Sequence, residues 1–334
     1  MLPDLSSAEL RFAVDSVVQA SRLIRHIRTD LNPQQLSKDD LSPVTVADFA
    51  AQALVAKMLE EQLPGTTLVG EEDAGLLKTR DGREVSEAVV SALRGVWDSV
   101  TFEQVCDCID RGAVEPTDRF WTLDPVDGTK GFIRGGQYAV ALALIEDGDV
   151  KIGVLGCPNM GASFEVEGSS EGLIVVAVHG EGTWFAPLDT PDAFTRIHVS
   201  DRSAIQDARL LRSVEAGHTN VGQMGELVKG MGVTAEPVCL DSQAKYALLA
   251  SGHGDVLFRL LSPSKPDYRE KIWDQAAGAI VVREAGGRIT DLEGKPLDFT
   301  QGRTLAKNRG ICATNGLLHE TAMDALRTLA TDAG

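Results

Sequence analysis

The stretch Trp121–Phe132, WTLDPVDGTKGF, constrains the fold of this chain more than any other segment. An apolar run that fits a buried strand ends there in two aspartates, Asp124 and Asp127. Pro125 fixes its own φ and restricts the preceding residue to an extended backbone, while Gly128 permits a tight turn. We therefore expect two carboxylates to face one point from a stiff loop. Each carboxylate disfavours the charge of the other unless a cation lies between them, so the segment predicts a divalent metal site.

A simpler interpretation of this stretch is a turn, because Asp-Pro and Asp-Gly pairs are common in turns. Three further acidic positions also have two interpretations each. Asp48 follows Thr45 by three residues, which fits a helix capping box as well as a catalytic role. The run Glu71–Asp73 follows a short strand predicted over 66–69 and fits either a solvated loop or metal ligands. Asp274 begins a predicted apolar helix, where it fits an N-cap or a position facing a cleft.

Length and composition indicate a globular protein with two parts. A chain of 334 residues can hold two cores, since single cores stop growing near roughly 250 to 300 residues. Hydrophobic residues make up 43% and charged residues 24% of the chain, and no apolar run approaches the ~18 residues of a membrane span. The net charge of −17 argues against nucleic acids and acidic membranes as partners, because both would be repelled. An anionic small-molecule substrate would need bound cations as a bridge.

The cysteines indicate a reducing compartment. Their number is odd and their positions are scattered, without a CxxC pair, which is typical of free thiols. We interpret the close pair Cys106 and Cys108 as incidental thiols rather than as a redox switch. We therefore predict a cytoplasmic protein, or one in an organelle interior if a transit peptide has been removed. The five residues are Cys106, Cys108, Cys157, Cys239 and Cys312.

The first part of the chain reads as helices followed by an antiparallel sheet. Apolar spacing predicts helices over about 7–28 and 45–62. Two β-hairpins are predicted to turn at 146–149 and 180–182. The polar region 74–119, between helices and hairpins, is interpreted as an excursion from the scaffold, a flap beside the site.

After a proline-bearing link near residues 187–191, strands and helices alternate, which favours an α/β layer. We predict an N-terminal α+β domain, residues 1–188, with the metal site and the antiparallel sheet. A C-terminal α/β domain, residues 189–334, would bind substrate. The predicted helices of this second part lie near 221–229, 243–250, 274–285 and 317–329.

The acidic positions share one structural setting, because each lies at a strand end or a helix start, where the side chains of a layered fold meet in a cleft. Gathering Glu71, Asp124, Asp127 and Asp274 in one pocket would be prohibitive without counter-ions. An all-oxygen ligand set favours Mg²⁺ or Mn²⁺ over zinc, and several acids suggest two or more ions. Paired magnesium ions suit the hydrolysis of phosphate monoesters.

Six segments in order carry a family resemblance: SPVTVADFAAQ, VGEED, LDPVDGTKGF, VEAGH, DSQAKYALLASGHGD and EKIWDQAAGAIVVREAGG. The chain resembles the lithium-sensitive inositol monophosphatase superfamily over nearly its whole length, and within it the 3'(2'),5'-bisphosphate nucleotidases. The resemblance implies an α+β fold that forms a five-layer αβαβα sandwich. It implies an Mg²⁺-dependent enzyme, with Mn²⁺ as an alternative ion and Li⁺ as an inhibitor. The implied reaction converts 3'-phosphoadenosine 5'-phosphate to AMP and phosphate, with 3'-phosphoadenosine 5'-phosphosulfate as a further candidate substrate.

The resemblance also implies roles for individual residues. The implied metal ligands are Glu71, Asp124, the backbone carbonyl of Val126, Asp127 and Asp274. Asp48 and Thr129 resemble the pair that orients and deprotonates the attacking water, and this moves Asp48 from capping towards catalysis. The implied substrate-binding residues are Thr129, His218, Ser242, Lys245, Arg259 and Asp274. Lys245 and Arg259 are suited to an anionic group, Ser242 to a hydrogen bond, and His218 to stacking or hydrogen bonding.

Two alternatives remain open at this point. The first is an inositol phosphate phosphatase, because the metal motif is common to the superfamily. The DSQAKY segment and the long stretch between Glu71 and Asp124 favour a nucleotide substrate. The second is a catalytically inactive nucleotide-sensing protein, which would not need Asp48 and Thr129. The sequence leaves open a monomer or a homodimer.

Overall fold

The computed structural model describes residues 3–30, 43–166, 171–214, 221–262 and 264–332. Within these ranges the strands form a seven-stranded sheet and a five-stranded sheet. The first sheet contains, in chain order, β1 Thr67–Gly70, β2 Arg119–Asp127, β3 Ala139–Glu146, β4 Asp149–Cys157, β5 Leu173–Val178, β6 Gly182–Pro187 and β7 Thr195–Ile197. β1 and β2 are parallel, and the later neighbours are antiparallel.

The strands of the second sheet are β8 Leu210–Arg212, β9 Val238–Cys239, β10 Val256–Arg259, β11 Arg288–Thr290 and β12 Ile311–Thr314. They lie in the order β11-β12-β10-β8-β9. The central strand β10 pairs parallel with β8 and antiparallel with β12. A short 3₁₀ helix, Ile205–Asp207, precedes β8 in the chain.

Helices cover the faces of both sheets. They are α1 Ala8–Asp30, α2 Pro43–Gln62, α3 Arg83–Leu93, α4 Phe102–Asp110, α5 Thr129–Arg134, α6 Val221–Met231, α7 Ala244–Ala250, α8 Ala276–Glu284 and α9 His319–Asp332. α1 and α2 pack against the first sheet, α7 and α8 lie between the sheets, and α9 packs with α6 beyond the second sheet. The five layers confirm the predicted α+β fold and αβαβα sandwich.

Strand β4 shows why the layers approach so closely, because helices cover both of its faces. A Cβ atom at Gly153 would lie 2.3 Å from Cγ2 of Ile280 on α8. A Cβ atom at Gly156 would lie 2.2 Å from Oγ of Ser21 on α1. Since real side-chain contacts do not come this close, glycine at both positions sets the distance between the sheet and its helices.

The strand that carries the aspartates is anchored in two separate cores. Trp121 belongs to the cluster beneath α1 and α2, where its ring meets Phe12 edge-on at 5.1 Å between centroids. Phe120 points to the other face and joins the cluster between the two sheets. Burying a side chain of this size contributes about 1.5–3 kcal/mol. β2 is therefore a rigid base for the loop that follows it.

Two elements differ from the expected organisation. The polar region 74–119 contains α3 and α4, which pack against α2, so that most of it belongs to the first helical layer rather than to a flap. The first sheet also continues past residue 188, because β7 pairs with β6. The division at residues 188 and 189 stays a prediction.

The prediction of free thiols is confirmed, because none of the five cysteines forms a disulfide. The compartment stays a prediction. In the ranges that the structure covers, no helix combines the length and the apolar character needed to cross a membrane.

Candidate active site

The site begins where β2 departs from regular pairing with β3. Asp124 lies opposite Ala141 and Asp127 opposite Ala139, so the register shifts between the two aspartates. A bulge of this kind redirects side chains at the end of a strand. Gly128 follows with a φ of +89°, and its Cβ atom would lie 2.8 Å from Cβ of Ser242. Only glycine fits this turn, and it places Thr129 at the first position of α5.

Glu71 reaches the same sheet edge through the parallel pairing of β1 with β2. Gly70 lies opposite Leu123, and the amide of Glu71 donates to the Leu123 carbonyl at 3.2 Å. The carboxyl ends of neighbouring parallel strands lie at one edge of a sheet. Glu71 and Asp124 therefore emerge side by side.

Gln52, a buried residue of α2, fixes the backbone on both sides of Glu71. Its Nε2 donates to the carbonyls of Glu72 at 2.6 Å and Ile109 at 3.0 Å, and its Oε1 accepts from the Glu72 amide at 3.0 Å. A Cβ atom at Gly70 would lie 2.4 Å from this amide group. The glycine gives Gln52 access to the backbone.

Asp48 lies one turn before Gln52 on α2 and is 9% exposed. Burial raises the pKa of Asp48 well above its usual range, and the neighbouring charges of Glu72 and Glu71 add to this. α2 begins at Pro43, so Thr45 lies inside the helix and not at its N-cap. The capping interpretation of Thr45 and Asp48 is therefore wrong.

Asp274 also differs from the N-cap expected of it. α8 begins at Ala276 with Gln275 at the N-cap, and Asp274 lies in the preceding turn. Gln243 holds this turn, since its Nε2 donates to the Trp273 carbonyl at 2.9 Å and its Oε1 accepts from the Gly278 amide at 3.0 Å. The backbone amide of Gln243 donates to Oδ2 of Asp127. One glutamine thus links the Asp127 loop to the Asp274 turn.

Lys245 and Arg259 bring positive charge into the site of these carboxylates. Lys245 is 4% exposed, and its Nζ donates to the Leu240 carbonyl at 3.2 Å. Burial lowers the pKa of Lys245 to about 8, opposed by the charge of Asp127. Arg259, at the end of β10, forms a two-point ion pair with Glu270, with Nη2 to Oε2 at 2.8 Å and Nε to Oε1 at 3.2 Å.

Burial disfavours the charge of Arg259, but Glu270 and Asp274 outweigh this and raise its pKa. Glu270 is itself held by Gln275, whose Nε2 donates at 2.9 Å. Tyr246 donates its hydroxyl to Oε1 of Gln275. This buried network fixes the guanidinium in a single orientation.

One cavity of about 320 Å³ collects the predicted residues. Asp48 is not among the described residues that line it, but it lies close enough to Glu71 and Glu72 for their charges to raise its pKa. His218 lies outside the described residues. A larger groove of about 890 Å³ over α3 holds none of the described predicted residues, so size does not identify the site. The lining residues are Glu71, Asp124, Val126, Asp127, Gly128, Thr129, Lys130, Ser213, Asp241, Ser242, Lys245, Arg259 and Asp274.

Burial and mutual repulsion disfavour the charged form of the carboxylates in this cavity. Burial raises the pKa of Asp124 well above its usual range, and the charges of Glu71 and Asp127 raise it further. Burial likewise raises the pKa of Asp274, against the opposing effect of Arg259. The Asp127 pKa is raised by burial too, although Lys245 and Arg259 oppose the shift. Such a group needs a positive charge at its centre.

A hard divalent cation fits this donor set. The acidic donors are all oxygens, and Oδ1 of Asp124 is buried with no hydrogen-bond partner among the described residues. Among the described residues, no three histidine, cysteine or acidic side chains lie close enough together to form a metal-binding cluster, either in this cavity or elsewhere. The carboxylates line one cavity without being drawn to one point.

Sequence reasoning did not single out Gln52, Gln243 or Glu270, which position the lining residues. Gln243 lies inside the DSQAKY segment. The sequence pointed to this segment as a whole but not to Gln243 itself. A buried glutamine is recognised only when its partners are known. Those of Gln243 come from two other parts of the chain.

A five-layer sandwich with a carboxylate-lined cavity at the end of its first sheet defines a class of cation-dependent phosphate ester hydrolases. The chain belongs to the inositol monophosphatase family, because the sequence model of that family matches residues 7–330. Members of this family use divalent metal ions, Mg²⁺ among them. The predicted superfamily is thereby confirmed.

Relatives with similar sequences cover nearly the whole chain. The 3'(2'),5'-bisphosphate nucleotidase of Schizosaccharomyces pombe is 40% identical over 335 residues, which cover 95% of this chain and 94% of that protein. The 3'(2'),5'-bisphosphate nucleotidase of Emericella nidulans is 39% identical over 345 residues, covering 95% and 97%.

Solved structures agree on the fold. An inositol monophosphatase from Zymomonas mobilis matches with a TM-score of 0.64 at 21% identity, covering 98% of this chain and 100% of that one. CysQ from Bacteroides thetaiotaomicron, a bacterial member of the inositol monophosphatase family, matches with a TM-score of 0.61 at 22% identity, covering 92% and 96%.

Proposed function

We propose that this chain is an Mg²⁺-dependent 3'(2'),5'-bisphosphate nucleotidase that converts 3'-phosphoadenosine 5'-phosphate to AMP and phosphate. The observation that carries the proposal is one cavity lined both by carboxylates, Glu71, Asp124 and Asp127, and by two cations, Lys245 and Arg259. A substrate with two phosphates can use both sets of groups, the carboxylates through bound cations and the two cations directly. The full-length similarity to the two fungal nucleotidases supports the same substrate class.

The metal ligands of the proposal are Glu71, Asp124, the Val126 carbonyl, Asp127 and Asp274. Bound Mg²⁺ would offset the charge of the phosphoryl oxygens and make a water molecule more acidic. We propose two or three ions, with Mn²⁺ as a substitute and Li⁺ as an inhibitor. The bulge of β2 and the clamp formed by Gln243 hold Asp124, Asp127 and Asp274 in place before an ion binds.

Asp48 and Thr129 are assigned to the attacking water. Burial makes the Asp48 carboxylate a stronger base than an exposed aspartate, which suits it to accept the proton of the water. The Thr129 hydroxyl, exposed to the cavity at the start of α5, orients that water and donates to the scissile phosphate. As the water oxygen bonds to phosphorus, the P–O3' bond breaks and the departing 3'-oxygen of AMP takes a proton from solvent water. After phosphate departs, the proton on Asp48 returns to solvent.

The second phosphate and the nucleoside are assigned to Ser242, Lys245 and Arg259, with His218 as a further proposed contact. The pKa of Lys245, about 8, leaves it mostly protonated at pH 7. A phosphate nearby would stabilise that charge further. Arg259 presents a planar fork that Glu270 has already oriented.

The two alternative functions are not favoured. An inositol monophosphate would offer Lys245 and Arg259 no second phosphate to bind. An inactive nucleotide sensor would need neither Asp48 nor Thr129. We also propose a cytoplasmic location, or an organelle interior, which the free thiols support.

A phosphate-release panel tests the proposal. With Mg²⁺ present, we expect rapid release from 3'-phosphoadenosine 5'-phosphate, slower release from inositol 1-phosphate, and inhibition by Li⁺. 3'-Phosphoadenosine 5'-phosphosulfate is included as the further candidate substrate. Asp127→Asn, which removes a proposed ligand, is the inactive control. Brisk turnover of inositol 1-phosphate without release from the bisphosphate would reject the nucleotide assignment.

A further inference from the structure

Arg303, in the loop between β11 and β12, gathers three backbone carbonyls from the first half of the chain. Its Nη2 donates to the Gly70 carbonyl at 2.6 Å. Its Nη1 donates to the carbonyls of Gly112 at 3.1 Å and Val114 at 2.9 Å. The guanidinium therefore holds the residue immediately before Glu71.

The face of the same guanidinium packs on Trp273, with Cζ 4.8 Å from the ring centroid. Trp273 is the residue immediately before Asp274. The backbone joins as well, because the Ile272 amide donates to the Arg303 carbonyl at 3.2 Å. One side chain thus contacts the neighbours of two proposed metal ligands that come from opposite ends of the sequence.

The backbone at Gly70 and Gly112, whose carbonyls accept from Arg303, is also held by other contacts. The Gly70 amide donates to the Gly112 carbonyl at 2.9 Å, and Gln52 packs against both glycines from α2. A Cβ atom at Gly112 would lie 2.7 Å from Nε2 of Gln52 and 3.1 Å from Cα of Gly70. Gln52 and Arg303 thus hold the contact between Gly70 and Gly112 from different parts of the chain. Only glycine fits at these two positions, because a Cβ atom would clash with Gln52.

We propose that Arg303 is a positioning residue that sets the separation of Glu71 and Asp274, and with it the affinity of the site for divalent cations. Arg303 does not line the cavity among the residues described, so it acts through the two backbone segments rather than on substrate. A planar fork that donates to three carbonyls while stacking on an indole is a task that lysine cannot perform. The inference rests on the proposed function, because it takes Glu71 and Asp274 as metal ligands.

The test compares Arg303→Lys and Arg303→Ala with wild type by Mg²⁺ titration calorimetry in the absence of substrate. Residues that support metal ligands typically contribute about 10- to 100-fold in affinity, and we expect at least a tenfold loss in both variants. At saturating Mg²⁺ the KM for 3'-phosphoadenosine 5'-phosphate should change less than twofold, and millimolar guanidinium should partly restore Mg²⁺ affinity to Arg303→Ala.

Arg309→Ala is the matched control, because Arg309 also donates to a loop carbonyl, that of Pro266 at 3.1 Å, without touching either segment. It should bind Mg²⁺ as wild type does. Arg303→Lys keeps the charge and serves if Arg303→Ala fails to fold. Wild-type affinity in Arg303→Lys would overturn the positioning role while leaving the proposed function intact. Absence of Mg²⁺ binding by wild type would instead reject the proposed metal site, and the inference with it.

Discussion

Lys245 is a buried cation whose charge has a specific use if the substrate carries two phosphates. Its neighbours Asp127 and Leu240 hold Nζ in the cavity, and burial has already lowered its pKa to about 8. An ion of this kind is costly to bury unless an anion meets it. The residue is therefore expected to distinguish substrates by their second phosphate.

We predict that Lys245→Ala raises the KM for 3'-phosphoadenosine 5'-phosphate by about tenfold, a loss of about 1.4 kcal/mol. The KM for adenosine 3'-monophosphate should change much less, because that substrate lacks the second phosphate. Steady-state kinetics on both substrates measure the difference. Lys229→Ala, on the last turn of α6, is the control for loss of a lysine. Equal effects on both substrates would contradict the role given to Lys245.

Some site residues can be identified from the sequence and others cannot. The two kinds differ in how far apart in the sequence their contacts lie. Asp124 and Asp127 stand in one short motif whose proline and glycine dictate the local backbone, so their placement at the end of one strand was predictable. Arg303 bonds to Gly70 across 233 positions in the sequence. No local pattern encodes such a contact, which follows only from the packing of the two halves.

The type of each secondary-structure element was predicted better than the residues at which it begins and ends. Helices α2 and α8 were expected, but α2 begins before Thr45 and α8 begins after Asp274. Local capping patterns favoured the wrong residues because tertiary contacts, such as those of Gln243 with the turn before α8, define the helix starts. The polar region 74–119 was expected to be an excursion from the scaffold, but it contains α3 and α4, which pack on α2.

At the scale of elements, the contact between β4 and α8 can be changed by one methyl group. We predict that Gly153→Ala lowers the free energy of unfolding by about 1–3 kcal/mol, because its Cβ meets Ile280 and overpacks the layer. Mg²⁺ affinity should fall too, since α8 begins beside Asp274. Urea unfolding and calorimetry measure the two effects.

Gly230→Ala in α6 is the matched control, because a Cβ atom there would meet nothing within 4 Å. Alanine favours the helix, so this variant should be stabilised by up to about 1 kcal/mol. If Gly153→Ala proves as stable as Gly230→Ala, the distance between β4 and α8 is not set by the glycine.

For the whole molecule, the raised pKa values predict how the stability of the metal-free protein depends on pH. A carboxyl group whose pKa is higher in the folded than in the unfolded state stabilises the fold at low pH, and this contribution is lost as the pH rises through the folded value. Asp124 and Asp274 are raised well above 3.8, and Glu72 is raised from 4.5 to about 7, with burial as the largest cause.

We therefore expect the melting temperature of the EDTA-treated protein to fall as the pH rises from 4.5 to about 7, the window between the unfolded and folded pKa values of Glu72. Saturating Mg²⁺ should remove most of this fall, because the cation replaces the protons. Asp124→Asn, which keeps the shape of the side chain without its charge, should show a shallower fall in the absence of metal. A melting temperature that rises over this interval in the metal-free wild type would contradict the electrostatic account.

Helix α8, which ends at Glu284, contacts β3, β4, β5 and β6 on one side and β11 on the other. The strands of the first sheet are complete long before this helix has left the ribosome. Until then their inner face, rich in alanine, valine and leucine, lacks its cover. Between the completion of β7 at Ile197 and the emergence of α8, a nascent chain therefore carries an uncovered apolar sheet face, and its productive folding awaits the final segment of translation.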